Sequence, residues 1–169
     1  MRRVLFLLVA ICFAACGTIG EEYPTHEESS VVGVGDVAPD FTVELLGGER
    51  ETLSELRGEV VLLVLFSHEC PDCKMLMDDM QAARDYFDDL GVRILAIERD
   101  GSAEDVETYM ASHGYDFDVA VDDNRAIYNL YATMYVPRTY LIDSEGIIVH
   151  ATIEYDASYV ARILSAIPQ

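Results

Sequence analysis

Residues 60–73 have the sequence VVLLVLFSHECPDC, an apolar run that ends abruptly in a polar loop carrying two cysteines. The run is too short to cross a membrane and is rich in β-branched side chains, so it predicts a strand buried on both faces at the centre of an α/β sheet. The following residues predict a helix, because apolar side chains recur at spacings of three and four until Gly91. Cys70 is then expected at the helix N-cap, with Pro71 in the first turn.

The expected position of Cys70 predicts a reactive thiol. The thiolate is the form that attacks disulfides, and the free N–H groups and dipole of a helix N-terminus favour it. Cys73 follows one turn later, close enough to close a disulfide with Cys70 and to release a partner that Cys70 has captured. The sequence therefore predicts a redox pair that needs no cofactor beyond its own disulfide.

The N-terminus has the features of an export signal. A basic start, an apolar stretch and a region of small residues follow one another up to Cys16, which predicts a signal sequence and an exported mature protein. Residues 13–16, FAAC, resemble the lipobox of bacterial lipoproteins, in which the cysteine is diacylated. The resemblance implies a signal peptide over residues 1–15 and lipidation of Cys16; an ordinary signal sequence cut nearby is the alternative. Gly17 is compatible with an outer-membrane destination.

The number of cysteines limits the other uses of the pair. Of four cysteines, Cys12 lies in the leader and Cys16 in the cleavage region, so only Cys70 and Cys73 remain for the folded domain. A structural zinc site needs four ligands, and the histidines are scattered, so no metal site is predicted. These histidines are His26, His68, His113 and His150. A purely structural disulfide is disfavoured because the stabilisation grows with the closed loop, which is minimal here.

Charge and composition limit the partners and divide the chain. The formal net charge of −20 at pH 7 argues against binding to nucleic acid or to a bare anionic membrane, so membrane attachment must come from the lipid. Residues 16–34 are acidic and lack apolar periodicity, which predicts a flexible tether. Residues 35–169 are long enough to form one domain with its own core.

Strands and helices alternate along this predicted domain. In chain order they are a strand at 41–45, a short helical segment at 52–56, the central strand, the cysteine helix, a strand at 92–97, a helix between Ser102 and Gly114, a strand at 117–121, a helix at 124–131, a hairpin of 139–142 with 147–153, and a last helix at 160–167. Such alternation is typical of an α/β domain with a largely parallel sheet.

Three segments resemble a known family. Residues 35–41 (GDVAPDF), 70–74 (CPDCK) and 136–143 (VPRTYLID) are similar to those of thioredoxin-like proteins of the TlpA/ResA kind, and the match extends from Val34 to the C-terminus. The resemblance implies a thioredoxin fold: an α/β domain with a central mixed β-sheet flanked by helices, an N-terminal β extension and an inserted β-α unit. It also implies a protein disulfide oxidoreductase.

The same resemblance assigns the residues around the cysteines. Pro137 is expected to be the cis-proline that faces the disulfide, with the backbone of Val136 offered to a bound substrate. A proline there leaves no N–H unsatisfied beside the sulfurs, and the X-Pro bond adopts cis at little cost. Arg138 could contact an acidic substrate, pair with Asp72 or lie in solvent. The predicted supporting residues are His68, Pro71 and Asp72.

The sequence departs from its relatives where a proton acceptor is expected. Relatives carry a carboxylate at one of two positions that are Val64 and Leu76 in this chain, and an aromatic residue where Glu69 stands. His68 could assist proton transfer near neutral pH or be an ordinary polar loop residue. We therefore expect deprotonation of Cys73 to rely on water, His68 or Glu69.

These observations favour a membrane-anchored thiol-disulfide oxidoreductase of the bacterial cell envelope that reduces disulfides of exported proteins. Its expected partners are the thiols and disulfides of those proteins, a membrane or periplasmic thiol reductant and, through the lipid, the membrane. One alternative is a thiol peroxidase using Cys70, because the N-terminal pattern is shared with peroxiredoxins, although Leu63 replaces their upstream proline. Another is a copper-binding assembly protein using Cys70, Cys73 and a histidine.

Overall fold

The structure, a computed structural model, describes residues 23–168. The strands are β1 (Thr42–Glu44), β2 (Arg50–Thr52), β3 (Val60–Phe66), β4 (Val92–Glu98), β5 (Asp118–Val121), β6 (Arg138–Ile142) and β7 (Ile148–Ile153). The helices are α1 (Pro71–Ala82), α2 (Arg84–Asp89), α3 (Ala103–His113), α4 (Tyr128–Tyr131) and α5 (Tyr159–Ala166), with a 3-10 helix at Leu53–Leu56. Five strands form one mixed sheet in the order β5-β4-β3-β6-β7, and β1 and β2 form a separate antiparallel pair.

Strand β3 lies in the middle of the sheet, as the apolar run predicts. It pairs in parallel with β4 and antiparallel with β6. Its side chains enter two cores in alternation: Val64 packs among those of α1, α3 and α5, whereas Leu63 packs among those of β1, the 3-10 helix and α4. The α/β class and the mixed sheet flanked by helices are confirmed, and the β1-β2 hairpin is the N-terminal extension.

Two helices differ from their predicted lengths. The apolar pattern predicted one helix from the cysteines to residue 91, but α1 stops before Ala83, whose φ of −100° and ψ of 10° leave the helical region. The Ala83 N–H is shared between the carbonyls three and four residues earlier, which tightens this turn before α2 begins. The helix predicted over residues 124–131 shrinks to α4, because Arg125 adopts a left-handed φ of 59° that an α-helix excludes.

Several predictions for the N-terminus fall outside the described residues. They are the signal peptide over residues 1–15, the lipidated Cys16 and the first part of the tether, residues 16–22. Within residues 23–168, none of the helices has both the length and the apolar character that a bilayer crossing requires.

The rest of the predicted tether packs against the domain. Ser29 is fully buried, and the Val31 N–H donates to the Tyr131 carbonyl at 3.0 Å. The packed part of the chain therefore begins before residue 35, which corrects the predicted tether for residues 25–33. Periodicity could not indicate this, because the attachment is made mainly by hydroxyls and backbone groups, and Val32 is the apolar side chain of this segment that packs against the core.

Candidate active site

Cys70 lies where β3 has ended and α1 begins. Its φ of −88° and ψ of 119° are those of an extended N-cap residue, and Pro71 is the first residue of the helix. The chain turns tightly before it, since the Cys70 N–H donates to the Ser67 carbonyl at 3.0 Å. The Cys70 thiol is partly exposed. The end of the central strand and the start of the helix thus present this sulfur at the surface, as the sequence predicted.

Cys73 occupies a different environment from Cys70. It is 0% exposed, and both cysteines are free thiols in this structure. Burial raises the pKa of the Cys73 thiol well above its usual range, the backbone of Ser67 opposes this through a hydrogen bond, and the Cys70 side chain and the Glu98 charge add to the increase. An accessible thiol therefore stands beside a buried one that resists ionisation.

The loop before β6 closes the other side of the cysteine site. The Val136–Pro137 peptide bond is cis, as the resemblance implied, and the Cys70 thiol lies 3.7 Å from the Val136 carbonyl oxygen, to which it donates. The Tyr128 hydroxyl donates to the Tyr135 carbonyl at 2.6 Å and holds the same loop from α4. The backbone of Val136 is thus beside the sulfur that a substrate would meet.

Arg138 follows the cis-proline and is 1% exposed, so the predictions of a substrate contact, of a pair with Asp72 and of a solvated side chain are wrong. Its Nε donates to the Met134 carbonyl at 2.9 Å. Its two terminal nitrogens donate to the Ser30 hydroxyl at 2.9 Å and to the carbonyl and hydroxyl of Ser29. The guanidinium therefore joins the N-terminal segment to the cis-proline loop.

The polar and charged residues next to the cysteines differ in their exposure and in their partners. Asp72 is half-buried in the first turn of α1, whereas Pro71 and Glu69 are exposed. The ammonium of Lys74 pairs with Asp78 at 2.6 Å on the surface of α1. Its charge is therefore engaged along the helix.

Sequence reasoning missed a buried acid beside this site. Glu98, the last residue of β4, is 0% exposed and lies opposite Phe66, the last residue of β3. Its carboxylate accepts the His68 N–H at 2.7 Å and lies 3.3 Å from the His68 ring Nδ1. The sequence signal was an acid at the end of an apolar strand, because the carboxyl ends of neighbouring parallel strands meet at one edge of a sheet. Val64 and Leu76, as expected, contribute only apolar side chains to the core.

The described part of the chain does not assemble a metal site. Within residues 23–168, no group of three or more histidine, cysteine, aspartate or glutamate side chains is placed to hold a metal ion. His26 instead pairs with Glu154 at 3.4 Å, and His113 contacts the Tyr109 carbonyl at 2.9 Å. Within the described residues, Cys70 and Cys73 therefore do not form with a histidine the three-ligand group that the copper alternative needs.

An exposed thiol at a helix N-terminus, a buried thiol one turn later and a cis-proline against the first sulfur define a thioredoxin-type thiol-disulfide oxidoreductase. Residues 34–151 match the AhpC/TSA family, and the chain belongs to this family as a TlpA/ResA-like thioredoxin. It is 34% identical over 147 residues to the thiol-disulfide oxidoreductase ResA of Bacillus subtilis. The aligned residues cover 87% of this chain and 80% of the relative.

Solved structures agree with this assignment. A putative protein disulfide isomerase from Bacteroides thetaiotaomicron superposes with a TM-score of 0.75 at 31% identity, over 81% of this chain and 89% of that one. A putative thiol:disulfide interchange protein DsbE from Chlorobium tepidum gives a TM-score of 0.73 at 25% identity, over 81% and 99% of the two chains. The thioredoxin fold and the protein disulfide oxidoreductase activity predicted from the sequence are confirmed.

Proposed function

We propose that this protein is an exported, lipid-anchored oxidoreductase that reduces disulfides in other exported proteins. The observation that supports it best is the asymmetry of the two thiols, with Cys70 accessible beside the Val136 carbonyl and Cys73 fully buried. A client disulfide reaches Cys70 first. The Cys70–Cys73 pair is the only redox group that the reaction requires.

The reaction is a pair of thiol-disulfide exchanges. The Cys70 thiolate attacks one client sulfur, a mixed disulfide forms, and the first client thiolate leaves. Cys73 then loses its proton and attacks the Cys70 sulfur, so the Cys70–Cys73 disulfide forms and the second client thiolate leaves. Two electrons have passed to the client, and a membrane or periplasmic thiol reductant returns the pair to its reduced state.

The Val136 backbone is the proposed docking point for the client chain. Its carbonyl lies against the Cys70 sulfur, and an extended segment beside a disulfide could pair with this backbone without regard to its side chains. His68, Pro71 and Asp72, which are next to the cysteines in the chain, are the proposed supporting residues. Recognition through the backbone suits an enzyme with several clients.

The anchor is proposed from the N-terminal sequence. The FAAC segment ending at Cys16 supports a lipoprotein signal, and diacylation would hold the domain at a membrane of the bacterial cell envelope. An outer-membrane destination facing the periplasm is compatible with Gly17. The acidity of the chain agrees with attachment through the lipid and not through charge.

Trapping of clients tests the proposed roles of the two cysteines. Cys73→Ser should accumulate mixed disulfides with exported proteins, because attack can proceed but resolution cannot, whereas Cys70→Ser should accumulate none. Non-reducing gels of cells expressing each variant, with the double variant as control, give the measurement. Equal adducts from both single variants would contradict the assignment. Rapid, saturable turnover of hydrogen peroxide without protein disulfide reduction would favour the thiol peroxidase instead.

A further inference from the structure

Tyr135 lies directly before the proposed docking point of the client. The next residue is Val136, whose carbonyl oxygen accepts from the Cys70 thiol at 3.7 Å. The φ of Tyr135 is 70°, in the left-handed region, which a bulky residue adopts only where its surroundings hold it there. The backbone angles of Tyr135 set the direction of the peptide group that follows. Whatever holds Tyr135 therefore also sets where the Val136 backbone lies against the sulfur.

Tyr135 is held at three points. Its hydroxyl donates to the Pro24 carbonyl at 2.7 Å, and its own carbonyl accepts the Tyr128 hydroxyl at 2.6 Å. Its ring meets the His26 ring edge-on, with the centroids 4.9 Å apart and an interplanar angle of 74°, which is a favoured arrangement of two aromatic rings. Two of these contacts come from the N-terminal segment of the described chain and one comes from α4, so Tyr135 is fixed between them.

Residues 24–30, which we call the strap, form a turn that their own sequence stabilises. The Thr25 N–H donates to the Glu28 carboxylate at 2.9 Å, and the Glu28 N–H donates to the Thr25 hydroxyl at 3.3 Å. This reciprocal pair is the one that a Ser/Thr-x-x-Glu sequence forms at the start of a helix. The Ser29 hydroxyl closes the same turn by donating to the His26 carbonyl at 2.8 Å. The strap therefore presents its groups to the rest of the domain as one ordered unit.

The strap also contacts both ends of the cis-proline loop, residues 133–137. The N–H of the first loop residue donates to the Ser29 carbonyl at 2.9 Å. At the other end, the His26 ring pairs with the Glu154 carboxylate at 3.4 Å, and the Glu154 N–H donates to the Pro137 carbonyl at 2.9 Å. The ion pair is on the surface and contributes little by itself, so the hydrogen bonds supply most of the restraint. Movement of the strap would therefore displace the docking point relative to the nucleophilic sulfur.

We propose that Tyr135 is a positioning residue that fixes the Val136 backbone for the client, and that the strap holds Tyr135 in place for this purpose. The inference rests on the proposed function, in which an extended client segment pairs with this backbone. A segment that pairs with a backbone already in position loses less free energy to ordering on binding. A small disulfide without peptide groups has no such pairing to gain. The strap therefore makes the enzyme selective for disulfides in extended polypeptide chains over small-molecule disulfides.

Two model disulfides with the same leaving group distinguish these classes of substrate. In one, a chromogenic aromatic thiol is joined to the cysteine of an extended peptide, and in the other it is joined to mercaptoethanol. The Cys70 thiolate attacks the sulfur of the cysteine or of mercaptoethanol, the bond to the aromatic sulfur breaks, and the coloured aromatic thiolate leaves. Stopped-flow absorbance then gives the second-order rate constant of the attack. For the parent protein purified in detergent, the peptide should react about tenfold faster than the mercaptoethanol derivative, the factor that one or two ordinary hydrogen bonds supply.

Tyr135→Phe removes the hydrogen bond to Pro24 and keeps the ring against His26. The rate constant for the peptide should fall about fivefold, which corresponds to the loss of one hydrogen bond, and that for the mercaptoethanol derivative should stay within about twofold of the parent. His26→Ala removes the ring contact and should also lower the rate constant for the peptide. The double variant should lose less than the product of the two single factors, since both changes release the same residue. If Tyr135→Phe does not fold, His26→Ala gives the test, because it leaves both hydroxyl hydrogen bonds in place.

Two controls distinguish positioning from a general loss of stability. Tyr140→Phe also removes one hydroxyl hydrogen bond, to the Tyr131 carbonyl at 3.2 Å, but this bond lies outside the strap and the cis-proline loop. It should leave the ratio of the two rate constants within about twofold of the parent. A peptide that is N-methylated on either side of its cysteine cannot donate the backbone N–H groups there. With the parent it should lose most of its advantage over the mercaptoethanol derivative.

Three results would overturn the inference: an unchanged ratio in Tyr135→Phe and His26→Ala, an equal fall for both disulfides, or the same change of ratio in Tyr140→Phe. If the parent favours the peptide and the strap variants favour it equally, only the role of the strap fails and the docking point at Val136 stands. If the parent does not favour the peptide, the docking point fails as well. Clients trapped by Cys73→Ser would still support the exchange reaction in either case.

Discussion

Replacing Arg138 with methionine tests how the N-terminal segment holds the cis-proline loop. The guanidinium is buried and donates to Met134 on one side and to Ser29 and Ser30 on the other. No carboxylate within residues 23–168 forms an ion pair with it. The charge is therefore held by neutral acceptors alone, and the methionine side chain can fill much of the same volume without it.

The size of the effect follows from what each acceptor loses. The Ser29 carbonyl keeps the Thr133 N–H at 2.9 Å, and Ser30 lies near the surface and can bind water. The Met134 carbonyl loses its Arg138 donor, which costs about 1–3 kcal/mol, and the hydroxyl contacts add about 0.5–1.5 kcal/mol each. The variant no longer buries a charged guanidinium, and this gain offsets part of the lost hydrogen-bond energy. We expect a loss of about 3 kcal/mol, and at about 3 °C per kcal/mol for a chain of this size the Tm falls by about 9 °C.

Urea unfolding and hydrogen exchange give the measurements. Arg138→Met should lower the free energy of unfolding and increase amide exchange across residues 25–33, while Arg138→Lys should lie between it and the parent, because an ammonium cannot reproduce the guanidinium fork. The matched control is Arg162→Met, which removes an arginine whose pair with Asp156 is on the surface and should cost less than about 1 kcal/mol. A loss below about 1 kcal/mol for Arg138→Met, with unchanged exchange, would refute the reasoning.

Two further predictions concern the anchor and the pH dependence of stability. Cys16→Ser should abolish labelling by radioactive palmitate and move the protein out of the membrane fraction. Unchanged labelling would contradict the proposed lipidation of Cys16. The free energy of unfolding should fall as the pH rises above about 10, because burial raises the pKa of Tyr109 to about 12 and that of Tyr131 still further. As the pH rises, the tyrosines of the unfolded chain lose their protons before those of the folded chain. Tyr131→Phe should therefore reduce the slope of the unfolding free energy against pH. Urea midpoints that stay constant to about pH 11.5 would contradict the predicted fall.

The elements around the cysteines were predictable because their signals are local. The apolar run of residues 60–66 indicates a buried strand through its composition, and the helix start is marked by Cys70 and Pro71 within one turn. The cis bond at Pro137 came from the family resemblance and not from periodicity. Helix ends were less predictable, since the break at Ala83 and the left-handed Arg125 depend on how the following residues pack.

What the sequence determined by itself is therefore the order of strands and helices, the redox pair and the acidic surface, because these depend on neighbouring residues and on composition. Only the tertiary structure decided that Glu98 meets His68, 30 positions away in the chain, and that Arg138 meets Ser29, 109 positions away. Both are polar side chains that a sequence pattern assigns to the surface. Their burial becomes favourable only when distant segments bring hydrogen-bond partners to them, because an unpaired polar group costs free energy in the interior.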